Sequence, residues 1–217
     1  MMKVVSVNLS LPKEVKWKGT IVSTGIFKEP VHHRVEVRRL NIEGDKQADL
    51  TVHGGPDKAI YAYAAEHYSA WKIELDRPDL PWGMFGENLT IEGGFFEDVV
   101  FVGDRYSVGT AEVIAVQPRL PCYKLGIRFG TQRILNQFAA SGRLGVYFRV
   151  VKEGNVGPGD AVSKIAESKC RVSIADVGHI LLDRDRDPIL LRRVAEEEFL
   201  PEEIRAHVNS LLDQITS

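Results

Sequence analysis

Short alternations of apolar and polar positions fill the first three quarters of the chain. "KVVSVNL", "HRVEVRRL", "ENLTIEG", "DVVFVGDRYSVG", "AEVIAVQP" and "GVYFRVV" each repeat with the two-residue period of a strand, and glycine or charged turns separate them. Two stretches break the alternation with helical spacing. "AAEHYSAWKIEL" (64–75) sets Tyr68, Trp71 and Leu75 on one face, and "TQRILNQFAAS" (131–141) runs from a capping Thr131 towards Gly142. After Ala166 the period changes. "SIADVGHILL", "DPILLRRVAEEEF" and "LPEEIRAHVNSLLDQI" carry apolar residues at i, i+3 and i+4. Ser173 is placed to cap the first of these, and Asp187-Pro188 to open the second. Pro201-Glu202-Glu203 opens the third, with acids at its positive end. The pattern predicts an α+β protein that is mainly β. A closed or nearly closed β-barrel domain (1–168) is followed by a three-helix domain (169–217).

Composition narrows the function classes. A 217-residue chain with 44% hydrophobic and 27% charged residues is an ordinary soluble globule. Its formal net charge of −2 argues against binding a nucleic-acid polymer. The apolar run in "MMKVVSVNLSLP" is interrupted by Asn8 and Ser10, too soon for a signal peptide, and no stretch approaches a membrane span. Two cysteines, Cys122 and Cys170, make no disulfide framework and suit a reducing compartment. The expectation is a cytoplasmic protein.

The segment "QPRLPCYKL" (117–125) departs from every pattern above. Pro118 and Pro121 fix φ and remove two donors, which predicts a stiff extended turn and not a helix or inner strand. Arg119 and Lys124 flank Cys122 closely enough to share a side with it, and nearby cations favour a thiolate. The surroundings extend this asymmetry. From Val113 to Lys152 there are seven basic residues and no acid, although Asp and Glu number 30 in 217 residues. Two readings follow: acids from elsewhere in the fold neutralise these cations, or some of them form an anion site around Cys122.

Other motifs are weaker. "DLTVHGGPDKA" (49–59) leads into a Gly-Gly-Pro turn bracketed by His53 and Lys58, which suits either a plain tight turn or close approach of a ligand to the backbone. No G-x-S-x-G elbow accompanies it, so a serine hydrolase is excluded. In "FGENLT", Asn88 can donate to a ligand oxygen or stabilise a turn, and Arg34 opens a strand. The six histidines and two cysteines offer no zinc spacing, and neither a dinucleotide nor a phosphate-loop fingerprint is present. His179 and His207 fall on helical patterns as surface positions, and Cys170 reads as an inert thiol.

In order, "TGIFKEPV", "EGDKQADLTVHGGPDKAIYAY", "EHYSAW", "FGENLT", "QPRLPCYKL" and "GVYFRVVKEGNVGPGD" resemble the MOSC domain family, and within it the YiiM-like branch. The second histidine of "HHRV" stands where that pattern has glycine. The resemblance implies a MOSC-type barrel with a helical C-terminal domain and a molybdenum cofactor (molybdopterin) whose metal takes the Cys122 thiolate. It implies Arg119, Lys124 and Arg128 on the pterin phosphate. Arg34, Lys58 and Asn88 are further cofactor-binding candidates, with Asp49, His53 and Asn88 around the metal's open face and His53 as proton donor. The implied reaction is two-electron reduction of N-hydroxylated purine and pyrimidine bases to the amine and water. Since no flavin, nicotinamide or iron–sulfur motif is visible, electrons come from a separate reductase. Two other classes compete. In one, Cys122 carries a persulfide as a sulfur carrier in molybdenum cofactor metabolism. In the other, the chain is a non-catalytic module for an anionic metabolite. The number of subunits, including a homo-oligomer, is left open.

Overall fold

The computed structural model describes residues 1–48 and 54–216. Asp49 and His53 lie outside the described residues. Strands β1 (Met2–Leu9), β6 (Ile60–Ala64), β7 (Leu89–Glu92), β8 (Arg105–Val108), β9 (Ala111–Pro118), β10 (Val146–Lys152) and β12 (Ala161–Ala166) form a ring. Its order is β1-β12-β8-β9-β10-β6-β7 and back to β1, so seven strands close a barrel and leave no open edge between first and last. All ring pairings are antiparallel except β6–β7, which is parallel and joined through helix α1 (Ala65–Glu74). Strand β4 (Glu29–Val31) extends the sheet from the far half of β1, and β5 (Val35–Val37) pairs with β11 (Gly154–Val156).

Burial explains why β6 does not alternate in sequence. All five of its residues are buried. Ile60 and Ala62 join the interior cluster with Leu89, Val146 and Phe148. Tyr61 and Tyr63 instead face outwards, beneath α1 and helix α3 (Arg133–Ser141), in a second cluster with Tyr68, Trp71, Phe85 and Phe138. Covering both faces replaces alternation by an apolar run. The hairpin β2 (Lys13–Trp17) and β3 (Thr20–Thr24) is the opposite case: it is largely exposed, and only its two-residue turn at Lys18 (φ 47°) and Gly19 (φ 85°) marks it.

Two local expectations need correction. The 117–125 segment is not one extended turn: Gln117 and Pro118 close β9, Cys122 is extended (φ −125°, ψ 141°), and helix α2 (Tyr123–Phe129) starts at the next residue. The prolines end at 121, so nothing blocks a helix beyond them. Helix α3 begins at Arg133 and not at Thr131, because the Thr131 N–H donates to the Gly126 carbonyl (3.0 Å) as part of the α2 terminus at Gly130.

The tail forms helices α4 (Ile174–Leu181), α5 (Pro188–Ala195) and α6 (Glu202–Thr216). Ser173 and Asp176 make a capping box on α4, and Asp187 caps α5 by accepting from the Ile189 N–H (3.1 Å). Tail residues Val172, Ile174, Val177, Leu191 and Val208 belong to the same buried cluster as the barrel interior. Backbone bonds from Val102 N–H to the Val172 carbonyl (2.8 Å) and from Ile174 N–H to the Val100 carbonyl (2.9 Å) tie the two parts. Gly178 brings α4 close to the sheet, since a Cβ there would lie 2.7 Å from Leu144 Cδ1. No helix among the described residues is long and apolar enough to cross a membrane.

Candidate active site around Cys122

The site lies on the outside of the barrel. Tyr147 of β10 pairs in register with both Tyr61 of β6 and Gln117 of β9, and by strand alternation these side chains share the outer face. The two tyrosine rings meet at 5.1 Å, and the Arg119 guanidinium stands 4.9 Å from the centre of the Tyr61 ring. Cys122 follows four residues after the end of β9, so strand, cation and thiol share one wall.

A pocket of about 570 Å³, counting space open to solvent, gathers Cys122, Arg119, Lys124, Lys58, Tyr61, Tyr147 and Asn88. Its opposite wall comprises Thr24–Ile26, Lys28 and residues 45–48. Nothing in the sequence alone gives Lys28 and Asp45 a role. Both are buried, and the Lys28 ammonium contacts both Asp45 oxygens at 2.5 and 2.6 Å. Burial lowers the Lys28 pKa, while Asp45 opposes the shift.

Asn88 lines the pocket, but the protein uses its amide: the Oδ1 accepts from the Tyr61 N–H (3.1 Å) and the Nδ2 donates to Asp45 (2.9 Å). Its side chain therefore orients the Lys28–Asp45 pair. Neighbouring Glu87 is fully buried and accepts from Tyr68, from the Thr90 hydroxyl and from the Gly83 and Phe85 N–H groups. Burial pushes its pKa up. The turn it holds presents the Phe85 carbonyl, which accepts a short hydrogen bond from Arg119. Gly86 (φ 79°) makes room for that arrangement, because a Cβ there would lie 2.9 Å from the guanidinium.

A carbonyl satisfies Arg119 as an acceptor without cancelling its charge. Burial works against that charge, but Tyr147, Tyr61, the Cys122 sulfur and Glu87 outweigh it and raise the Arg119 pKa. Lys124 is buried and makes no ion pair with any described residue. Lys58 lines both the pocket and the cleft beside it. Arg149 holds neighbouring Asp57 at 2.5 Å, Gln117 donates to the Asp57 carbonyl (3.1 Å), and Lys58 itself approaches Glu203 of α6 at 3.5 Å.

Five of the seven cations of the acid-free segment fall into two groups. Arg143 pairs with Glu74, Arg149 with Asp57 and Lys152 with Glu112, all acids outside the segment. Arg119 and Lys124 face the pocket. Arg128 does not line it: the guanidinium donates to the Lys28 carbonyl (3.3 Å), stands 5.2 Å from the Phe27 ring and supports the wall from behind. Arg34 is elsewhere, bound to Asp160 (2.6 Å) and Asn155 (2.6 and 2.9 Å). Cys170 is exposed at the junction, its thiol pKa raised by burial and then by Glu197.

A second, wider cleft meets the pocket at Lys58, Arg119, Cys122, Lys124 and Tyr147. Its outer wall is Leu181 of α4 with Glu203, Ile204 and His207 of α6. His207 is exposed, as its helical pattern implies, but it borders this cleft. Among the described residues no group of three or more His, Cys, Asp or Glu side chains is arranged to hold a metal.

Residues 49–163 match the MOSC domain model. The chain is 38% identical over 212 residues to YflK of Bacillus subtilis (strain 168), covering 98% of this chain and 95% of that one. It is 34% identical over 168 residues to YiiM of Escherichia coli (strain K12), covering 75% of each. A protein of Gibberella moniliformis (strain M3125 / FGSC 7600) named "Reductase" is 32% identical over 186 residues, 84% of this chain but only 32% of that longer one. The crystal structure of YiiM from Geobacillus stearothermophilus superposes with a TM-score of 0.81 at 33% identity, covering 98% of this chain and all of that one. MOSC domains are in general molybdenum cofactor-binding domains. With its seven-stranded barrel, its helical tail and Cys122 shared by the barrel pocket and the cleft that the tail lines, the chain belongs to the MOSC domain family as a YiiM-like protein.

Proposed function

We propose that the Cys122 pocket binds a molybdenum cofactor and that the protein reduces N-hydroxylated compounds, foremost N-hydroxylated purine and pyrimidine bases. The observation that carries this reading is one wall holding Cys122 beside Arg119 and Lys124, two buried cations that no described acid pairs with. A thiolate is a soft metal ligand, and unneutralised cations are what a pterin phosphate requires, so the residues fit the group. The fungal relative's name supports a reductive chemistry.

When bound, the cofactor would supply two electrons and a centre that accepts the hydroxyl oxygen. This chain's residues have narrower tasks. Arg119 and Lys124 would hold the phosphate, with Lys58 at the rim. Cys122 would anchor the metal. The Lys28–Asp45 pair and Asn88 stiffen the facing wall. Burial pushes the Tyr147 pKa up, so at neutral pH its hydroxyl stays protonated in the wall it shares with Cys122. By the family motif, Asp49 and His53 would act on the substrate, His53 as proton donor. The net reaction breaks an N–O bond and consumes two electrons and two protons, giving amine and water. Electrons would come from a separate reductase.

The test is reduction of an N-hydroxylated base by protein made in a host that synthesises the cofactor, with a chemical electron donor replacing the reductase. Wild type and Cys170→Ser should convert the base, and Cys122→Ser should lose at least about a hundredfold in rate, as expected when an essential ligand is removed. Persulfide accumulating on Cys122 of pterin-free protein, transferable to an acceptor and unaccompanied by reductase activity, would instead establish the sulfur-carrier reading.

A further inference from the structure

Two buried carboxylates, Asp45 and Asp104, each meet an ammonium, at 2.5 and 2.6 Å. Glu87 is satisfied differently. It is fully buried, and its partners are four neutral donors: the Tyr68 hydroxyl of α1, the Thr90 hydroxyl of β7 (2.9 Å) and the N–H groups of Gly83 (2.8 Å) and Phe85 (3.1 Å). Burying a carboxylate among neutral partners is costly, so a carboxylate here points to a geometry that an uncharged side chain cannot hold. Oε1 accepts from Tyr68, Gly83 and Thr90, and Oε2 accepts from Phe85. A glutamine amide in either orientation would turn its NH2 against at least one of these donors.

The turn that Glu87 holds touches both walls of the Cys122 pocket. A Cβ at Gly83 (φ 79°) would lie 2.9 Å from the Lys28 carbonyl oxygen. One at Gly86 (φ 79°), which lines the pocket, would lie 2.5 Å from Ile26 Cδ1 and 2.9 Å from Arg119 Nη1. Phe85 is used at both ends: its N–H donates to Glu87, and its carbonyl accepts from Arg119. We infer that Glu87 is the positioning residue of the anion site: by fixing the turn from behind, it aims the Phe85 carbonyl and so sets the direction in which Arg119 presents its remaining N–H groups. The identity of the anion as a pterin phosphate rests on the cofactor reading, whereas the chain from Glu87 through Phe85 to Arg119 does not. Position and charge make opposite demands here. A carboxylate close to an anion site repels the anion, so charge alone would let its removal tighten binding. Loss of position loosens it.

The experiment is calorimetric binding of inorganic pyrophosphate to the full-length chain made in a host lacking pterin synthesis. Pterin retained by the same variants from a competent host is the second readout. Glu87→Gln should weaken pyrophosphate about tenfold, as expected when a hydrogen bond from a charged group is misdirected. In an Arg119→Ala background the same substitution should change affinity by less than about twofold, because the group it positions is gone. Glu87→Asp keeps the charge but is one methylene too short to reach all four donors, and it should weaken binding as well. Tyr68→Phe removes one donor from a helix outside the pocket and should weaken binding about threefold, which keeps the test open where a Glu87 variant does not fold. Wild-type or tighter affinity in Glu87→Gln or Tyr68→Phe would overturn the inference. So would equal losses with and without Arg119, or no pyrophosphate binding to wild type. Protein that follows the expected pattern with pyrophosphate yet carries no pterin from the competent host would overturn the cofactor reading and leave the role of Glu87 standing.

Discussion

The Cys122 pocket and the corner around Arg34 are built from similar parts and differ in one respect. Each holds an arginine supported by a glycine-containing turn. At the corner, Asp160 accepts from Arg34 (2.6 Å) and from the Gly157 N–H (2.9 Å), so the guanidinium meets a carboxylate. In the pocket, Arg119 meets the Phe85 carbonyl and retains its charge. The capacity to hold an anion thus depends on the charge left over after folding, and the number of cations in a segment does not measure it.

The largest effect expected of this difference is on cofactor retention. Arg119→Ala should weaken it by at least about tenfold, the loss of a charged hydrogen bond of roughly 1.5–3 kcal/mol, whereas Arg34→Ala should leave cofactor content at the wild-type level. Lys124→Ala should follow Arg119→Ala in direction. Pterin content measured after gel filtration checks all three. Equal retention by the Arg119 and Arg34 variants would erase the contrast.

Next in size is removal of the tail. Every strand of the barrel ring ends by Ala166, so a chain truncated after residue 168 should still fold. It should melt lower, on the order of 10 °C, because Val172, Ile174 and Val177 complete the interior cluster. Circular dichroism melts test this, and a truncated chain without any cooperative transition would show that the barrel depends on its tail.

The smallest effect belongs to the Arg34 corner. Burial works against the Asp160 charge, but the bonds from Arg34 and Gly157 outweigh it and hold the carboxyl below its ordinary value of 3.8. The stability gained is therefore present above about that pH and is lost as pH falls through the depressed value. Asp160→Asn should lower stability slightly at neutral pH, and the difference from wild type should shrink below about pH 4. A difference independent of pH in denaturant titrations would contradict the assignment.

Which parts of this were legible in the sequence follows from how far apart the partners lie. Cys122, Arg119 and Lys124 share nine residues, and local spacing suffices to bring them together. Arg34 finds Asp160 at a separation of 126 residues, so nothing nearby revealed that its charge was already used. Lys28 and Asp45 lie only 17 residues apart, yet both look like surface charges until the fold buries them. Tyr61 became a wall residue because β6 is covered on its outer face, which sequence alternation does not encode, and Tyr147 because it pairs in register with Tyr61 across the sheet. The helix caps at Ser173 and Asp187 were legible, since capping is a contact within a few residues. The cleft wall on α6 was not, because it depends on how the tail docks.

Metal and pterin content of freshly purified protein tests the central claim most directly, that Cys122 and two cations with which no described acid pairs form a cofactor site. Protein from a host able to make the cofactor should contain about one molybdenum and one pterin per chain, the stoichiometry of one metal on one thiolate. Cys122→Ser should lose molybdenum while keeping part of the pterin through Arg119 and Lys124, and a host lacking pterin synthesis should yield neither. Wild-type protein free of molybdenum and pterin from the competent host, or a Cys122→Ser variant with undiminished metal, would contradict the account.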